Sequence, residues 1–262
     1  MTVNMLIETA GRGDIEAMKR LSKHYKDKAS RIIGINDKNK SYCEEQVGYW
    51  MEKAAEAGDV DAMFCCGIGY IGYGSYHPDE SIKLKRDSWL LKAVEAGHAR
   101  AMHCLGDHFL LSYADEEKMA ENFKKAAYWY EQAAKHGDVL GMYSTARNYR
   151  VGRGVDIDLG KAVFWLEKAA QTGHPDSQAA LGDMYYRGEG VGQDKAKAAY
   201  WYEKASVNEP LCAGDHIRWA KLWYMYSRGD GIPQDDEKAE SFKSALKVRG
   251  YEYLLDDPDY FS

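Results

Sequence analysis

The chain has 262 residues, with 35 Lys and Arg set against 41 Asp and Glu and a formal net charge of −6. Without a basic run, that balance excludes a general nucleic-acid binder. Five cysteines (Cys43, Cys65, Cys66, Cys104, Cys212), odd in number and irregularly placed, suit thiols in a reducing compartment better than a disulfide framework.

The amino terminus, Met1-Thr-Val-Asn-Met-Leu-Ile-Glu-Thr-Ala10, has neither the basic start nor the long apolar run of a secretory signal. No later segment approaches the ~20 apolar residues that span a bilayer. A cytoplasmic location and no membrane partner are therefore expected. A first helix over 3–10 ends at Gly11-Arg-Gly13-Asp14 and announces a junction that recurs. Asp59, Asp138 and Asp215 follow Gly58, Gly137 and Gly214, while His98 and His174 stand in that place after Gly97 and Gly173. Glycine closes one helix in a left-handed turn and the polar residue caps the next.

Behind each such glycine the same helix is predicted. A small residue recurs at the fourth position (Ala17, Ala62, Ala101, Gly141, Ser177), with Arg218 the exception, and an aromatic at the twelfth (Tyr25, Tyr70, Phe109, Tyr149, Tyr185, Tyr226). Leu, Cys or Thr fills the eighth, so 4-8-12 lines one helical face. A small residue is common at the ninth (Ser22, Gly67, Gly106, Ala146, Gly182), which predicts a close backbone approach.

A second helix follows, built on tryptophan. Trp129, Trp165 and Trp201 are spaced 36 residues apart, Trp50 and Trp89 precede them, and each is followed by a small pair such as Ala54-Ala55 or Ala133-Ala134. Late units join their two helices through Gly152-Arg-Gly154, Gly188-Glu-Gly190 and Gly229-Asp-Gly231. In the earlier units the connector is replaced by a long polar insertion over 27–42, and by 72–78 and 112–115; an extension at 208–212 separates units five and six. A fixed period of this size marks stacked supersecondary units. The expectation is one all-α domain over 1–262, with repeats at about 13–57, 58–96, 97–136, 137–172, 173–213 and 214–250. Residues 1–12 form a capping helix. The tail 251–262 is read as a cap whose Leu254 and Leu255 cover the last core face, with insertion of an acidic-aromatic peptide into a groove as the alternative.

The pattern Ala-x3-Leu-Gly-x2-Tyr-x2-Gly-x-Gly-Val-x2-Asp-x2-Lys-Ala-x2-Trp-x3-Ala-Ala-x2-Gly resembles the Sel-like repeat, a relative of the tetratricopeptide repeat. Residues 177–206, with Leu181, Gly182, Tyr185, Gly188, Gly190, Val191, Asp194, Lys197, Ala198 and Trp201, carry it almost throughout. The resemblance implies a right-handed α-solenoid superhelix of about six antiparallel helix pairs, used as an adaptor or scaffold for proteins. A secreted branch of that family pairs cysteines within each repeat; here only Cys65 and Cys104 fall at equivalent positions.

Three patterns mimic chemistry. Gly188-Glu-Gly190-Val-Gly192 looks like a phosphate loop, but a dinucleotide fingerprint follows a strand and here a helix precedes it, so no cofactor is expected. His103 and His108 are five residues apart, off a common helical face, and no Cys-x2-Cys exists, so no metal is expected. Cys104, His103 and Asp107 share one helix, yet neighbouring helix residues point about 100° apart and do not assemble a nucleophile–base pair. A hydrolase site around His103 and Cys104 remains the enzymatic alternative, and self-association into a homodimer a third.

By analogy with tetratricopeptide arrays, positions three, six, ten and thirteen of each first helix line a concave groove. The residues expected to bind a partner protein or peptide there are Phe64, Ile68, Arg100, His103, Asp107, Tyr143, Arg147, Arg150, Asp183, Tyr186 and Tyr224. Arginines fork onto carboxylates and aromatics anchor apolar side chains. The function expected is a non-catalytic interaction module, such as an adaptor, an assembly factor or an immunity-type inhibitor.

Overall fold

The computed structural model describes residues 2–32, 38–69, 80–111, 116–206 and 215–255. Among them are thirteen α-helices and no strand. Two compact units divide the chain, Met1–Leu105 and Gly106–Ser262.

The first unit holds α1 (Val3–Gly11), α2 (Ile15–Ser30), α3 (Lys38–Glu56), α4 (Val60–Gly67), α5 (Glu80–Glu95) and the start of α6 (Ala99–Leu111). Asp59 caps α4, its side chain accepting from the Ala62 N–H at 2.7 Å, which satisfies one of the donors a helix start leaves open. Both described ends of the polar stretch 27–42, expected to replace a connector, are helical. Helix α2 runs on to Ser30 and α3 starts at Lys38. Ala29 and Cys43, at 7% and 1% exposure, extend the buried face, and Tyr42 meets Tyr25 edge to face at 6.2 Å. Asp27, Lys28, Ser30, Lys38 and Asn39 are exposed at the facing ends of these two helices. Residues 33–37, 72–78, 112–115 and 208–212, and the tail beyond Leu255, lie outside the described residues.

The second unit continues with α7 (Glu116–Lys135), α8 (Val139–Val151), α9 (Leu159–Gln171), α10 (Pro175–Arg187), α11 (Lys195–Ser206), α12 (Asp215–Arg228) and α13 (Asp236–Val248). In each pair the 4-8-12 stripe is interior: Gly141, Thr145 and Tyr149 in α8; Ser177, Leu181 and Tyr185 in α10. The partner helix contributes Trp165 and Ala169-Ala170, or Tyr202 and Ala205. The ninth position explains its own smallness. A Cβ on Gly106 or Gly182 would come within 2.7 Å of the Tyr130 or Tyr202 ring, so only glycine leaves room for the tyrosine that packs there. At Gly67, in the first unit, it is the Leu90 backbone that comes close, 2.8 Å from such a Cβ. Where the ninth residue is Ala146, the residue after the tryptophan is Leu166 rather than tyrosine.

Two devices join successive repeats of this unit. The second connector glycine lies on the preceding repeat: a Cβ on Gly154 would collide with the Phe123 carbonyl, and one on Gly190 would stand 2.7 Å from Leu159. On the other side runs a polar rung. Tyr185 donates to Glu167 at 3.1 Å and Tyr226 to Glu203 at 2.6 Å, with Lys197 and Lys238 over the respective rings. Tyr149, Glu131 and Lys161 repeat the arrangement more loosely. Past α13 a 3-10 turn, Glu252–Leu255, seats Leu254 against Trp219 and Leu246, and Tyr251 stacks on His216 at 4.4 Å. The start of the tail is therefore a cap.

Candidate interaction surface

The first helix of each pair carries the residues expected to bind. In the second unit these helices are α8, α10 and α12. Tyr143 leaves α8 half-buried, its ring 5.2 Å from His174 and tilted by 49°. Burial, and next Asp176, raises the Tyr143 phenol above its ordinary pKa, against the pull of Arg147, Arg150 and Arg218. Three guanidinium groups therefore act on one phenol. Arg147 is exposed and meets no carboxylate at ion-pair distance among the described residues. Arg150 directs Nε and Nη2 onto one oxygen of Glu189, at 3.2 and 3.1 Å, and Arg187 takes the other at 3.3 Å. One carboxylate thus serves two arginines.

One repeat on, Asp183 is occupied within the fold. Its Oδ1 accepts from the Tyr202 hydroxyl and from Lys221 Nζ, each at 2.7 Å. Burial would raise the Asp183 pKa, but the Lys221 charge and the two hydrogen bonds outweigh it and hold the carboxyl below its usual value. Lys221, 8% exposed, lies over the Tyr186 and Tyr202 rings at 5.1 and 5.3 Å. Lys195, tied to both oxygens of Asp230 at 2.7 Å, also stands over Tyr186, at 5.5 Å. Tyr224 is half-buried with the Arg228 guanidinium 5.5 Å from its ring. Asp107, at the same repeat position as Asp183, likewise accepts a tyrosine hydroxyl, from Tyr130 at 2.7 Å.

The first unit gathers a separate set. Phe64 stacks on His98 at 4.4 Å, and His98 Nε2 lies 3.4 Å from Asp61. Ile68 is half-buried just past the end of α4 and Arg100 is exposed, whereas His103 is only 7% exposed and offers little surface. Cys104 is half-buried. Burial pushes the Cys66 thiol up to about 12 and raises Cys65 as well, which keeps both protonated and poorly nucleophilic. Among the described residues no group of three His, Cys, Asp or Glu side chains is arranged to hold a metal, and no helix is long and apolar enough to cross a membrane.

Sequence reasoning missed Glu189, Asp230, Lys195 and Lys221. The signal for the first two lay in the connectors, where the residue between the glycines reaches back: Glu189 to Arg150, Asp230 to Lys195, and Arg153 over the Phe123 ring at 5.5 Å.

The Sel1 repeat profile matches residues 49–59, 99–138, 139–174, 175–206 and 216–242, more than half of the chain. The chain belongs to the Sel1 repeat family. Its all-α repeat fold is shared by a Sel1 repeat protein from Oxalobacter formigenes, 26% identical over 88% of this chain and 84% of that one, with a TM-score of 0.62. It is also shared by c5321, a protective antigen of uropathogenic Escherichia coli with an SLR fold, 21% identical over 97% of this chain and 58% of that one, TM-score 0.55. Comparison with curated protein sequences finds no match. Within the Sel1 repeat frame, α8, α10 and α12 are the first helices of consecutive repeats, so Tyr143, Arg147, Asp183, Tyr186 and Tyr224 recur at register positions six, ten and thirteen.

Proposed function

We propose that this Sel1 repeat chain is a non-catalytic, cytoplasmic protein-interaction module whose second unit grips an acidic segment of a partner on α8, α10 and α12. The observation that carries the reading is Arg147, exposed and without a carboxylate among the described residues, beside Arg150 and Arg218 around Tyr143. Arg147 meets no carboxylate among the described residues, and Arg150 and Arg187 share the one carboxylate of Glu189, which leaves positive charge for an incoming carboxylate in forked geometry. Tyr143, Tyr186 and Tyr224 supply amphipathic anchors. Asp107 and Asp183 hold tyrosines in place and contribute indirectly. In the first unit, Phe64, Ile68 and Arg100 form a further contact surface, with His103 beneath it.

The test is capture of a stoichiometric partner from native lysate by the full chain, followed by titration of that purified partner against Arg147→Glu/Arg150→Glu. A loss of about a hundredfold in affinity is expected when two charge-assisted contacts become repulsive. An unchanged affinity would remove the arginine face from the binding site.

A further inference from the structure

The second helices of the pairs carry a different surface. In the second unit Tyr128, Phe164 and Tyr200 each precede the repeat tryptophan, and each remains about half exposed, at 55%, 48% and 51%. Each ring meets the following tryptophan edge to face at 5.0–5.1 Å. A single exposed aromatic is ordinary, but the same exposure at the same position of three consecutive repeats makes a row.

The charges around that row are not balanced. Lys168 stands over Phe164 at 4.5 Å and over Trp165 at 5.2 Å, and Lys204 over Tyr200 at 5.6 Å. Neither meets a carboxylate at ion-pair distance among the described residues. The acid three residues beyond each ring is engaged elsewhere: Glu131 with Lys135 and Tyr149, Glu167 with Tyr185, and Glu203 with Tyr226 and Lys238. The rung between repeats therefore takes up the carboxylates and leaves aromatic rings topped by ammonium groups.

We infer that the outer row Tyr128–Phe164–Tyr200, with Lys168 and Lys204, is a second docking surface for an acidic polypeptide segment bearing aromatic or apolar side chains. Charge complementarity selects the acidic segment, and the exposed ring faces select the apolar side chains between its acids. Packed helices are roughly 8–10 Å apart, and an extended chain rises about 3.3 Å per residue. The helices α7, α9 and α11 meet through α8 and α10 rather than directly, so successive rings lie farther apart than one packed-helix spacing and an extended segment needs more than about three residues to pass from one ring to the next. The row is independent of the arginines on α8 and stands or falls separately from them.

The probe is a random copolymer of glutamate and tyrosine, with polyglutamate as the charge-only control, titrated against the full chain. Phe164→Ser/Tyr200→Ser and Lys168→Glu/Lys204→Glu are compared with Arg147→Glu/Arg150→Glu; all six positions lie outside the core, and thermal melting checks that each variant folds. The copolymer should bind more tightly than polyglutamate, and each outer-row variant should lose about tenfold or more in affinity, the scale of removing anchors from a small site, while the arginine variant keeps its affinity. Loss in the arginine variant alone, equal binding of polyglutamate, or no binding of the copolymer would overturn the inference. So would light scattering that shows a dimer abolished by Phe164→Ser/Tyr200→Ser, which assigns the row to a second copy. Binding to phosphatidylserine vesicles without binding to the copolymer would assign it to a lipid surface.

Discussion

The two units solve the same problem by different means. In the second, three joints between repeats reuse one set of contacts: a connector glycine pressed on the previous repeat and a Glu–Tyr–Lys rung beside it. In the first, α2 and α3 are 16 and 19 residues long and lengthen their shared face with Ala29 and Cys43. Its one described rung contact, Lys85 to Glu52 at 2.6 Å, pairs an exposed lysine with a half-buried glutamate and has no described tyrosine between them. Contact along a long hairpin is spread over many side chains that can each adjust. Contact through a glycine is concentrated in one place, where at Gly154 and Gly190 backbone atoms of the previous repeat stand in the way.

The sharpest way to break that contrast is a methyl group. Gly154→Ala places a Cβ against the Phe123 carbonyl at a positive φ, whereas Gly58→Ala in the first unit meets the positive φ with nothing else within 4 Å. Chemical denaturation should show a loss of ~3 kcal/mol for the former, backbone strain plus overpacking, and ~1 kcal/mol for the latter. Equal losses would mean that the glycine contact does not hold the joint.

A smaller effect separates the buried from the exposed ion pairs. Asp183→Ala strands Lys221 beneath two tyrosine rings and should cost about 2 kcal/mol, below the usual range for buried pairs because the carboxylate is partly exposed. Removing Asp61, which meets Lys19 at the surface, should cost little. Because the folded Asp183 carboxyl sits below its usual value, its contribution is present above the unfolded pKa, near 4, and is lost as pH falls through the lower folded value. Acid titration of the Asp183→Ala protein should lack that part of the stability loss.

The smallest expected effect concerns the helix starts. His174 caps α10 by accepting from the Ser177 N–H through Nδ1 at 3.2 Å, which requires an unprotonated Nδ1, while Asp138 caps α8 by accepting from the Gly141 N–H at 2.7 Å. Burial lowers the His174 pKa, against a raising pull from Asp176. The unfolded chain therefore takes up the proton first, so the cap's contribution is full above pH 6.5 and declines as pH falls toward the lower folded value. His174→Asp should flatten the melting temperature between pH 7 and pH 5, and an unaltered slope would assign that dependence to other groups.

The periodic features are plain in the amino-acid sequence itself. The 4-8-12 stripe, the tryptophan helix and the Gly-Asp and Gly-His junctions recur often enough for spacing alone to separate inside from outside. The polar stretch 27–42 hides its helical ends because Asp, Lys and Asn resemble a loop, although Ala29 and Cys43 belong to the buried faces of α2 and α3. Tyr143, Arg147 and Arg150 can be placed on one helix face from register. The Asp183–Tyr202–Lys221 contact cannot, because it joins three helices of two repeats and puts a lysine where the preceding repeat has Ala180. Nor does register reveal that His103, at position six, turns inward.

The likeness of the joints in the second unit bears on how such a chain changes over generations. Excising one 36-residue period from the middle would bring Glu131 to Tyr185, a pairing made at every joint of the unit, and Gly190 to the place on Phe123 that Gly154 holds. Gain or loss of a repeat then requires no new complementary surface, and the span of partner that the unit covers can be altered in whole steps by unequal recombination.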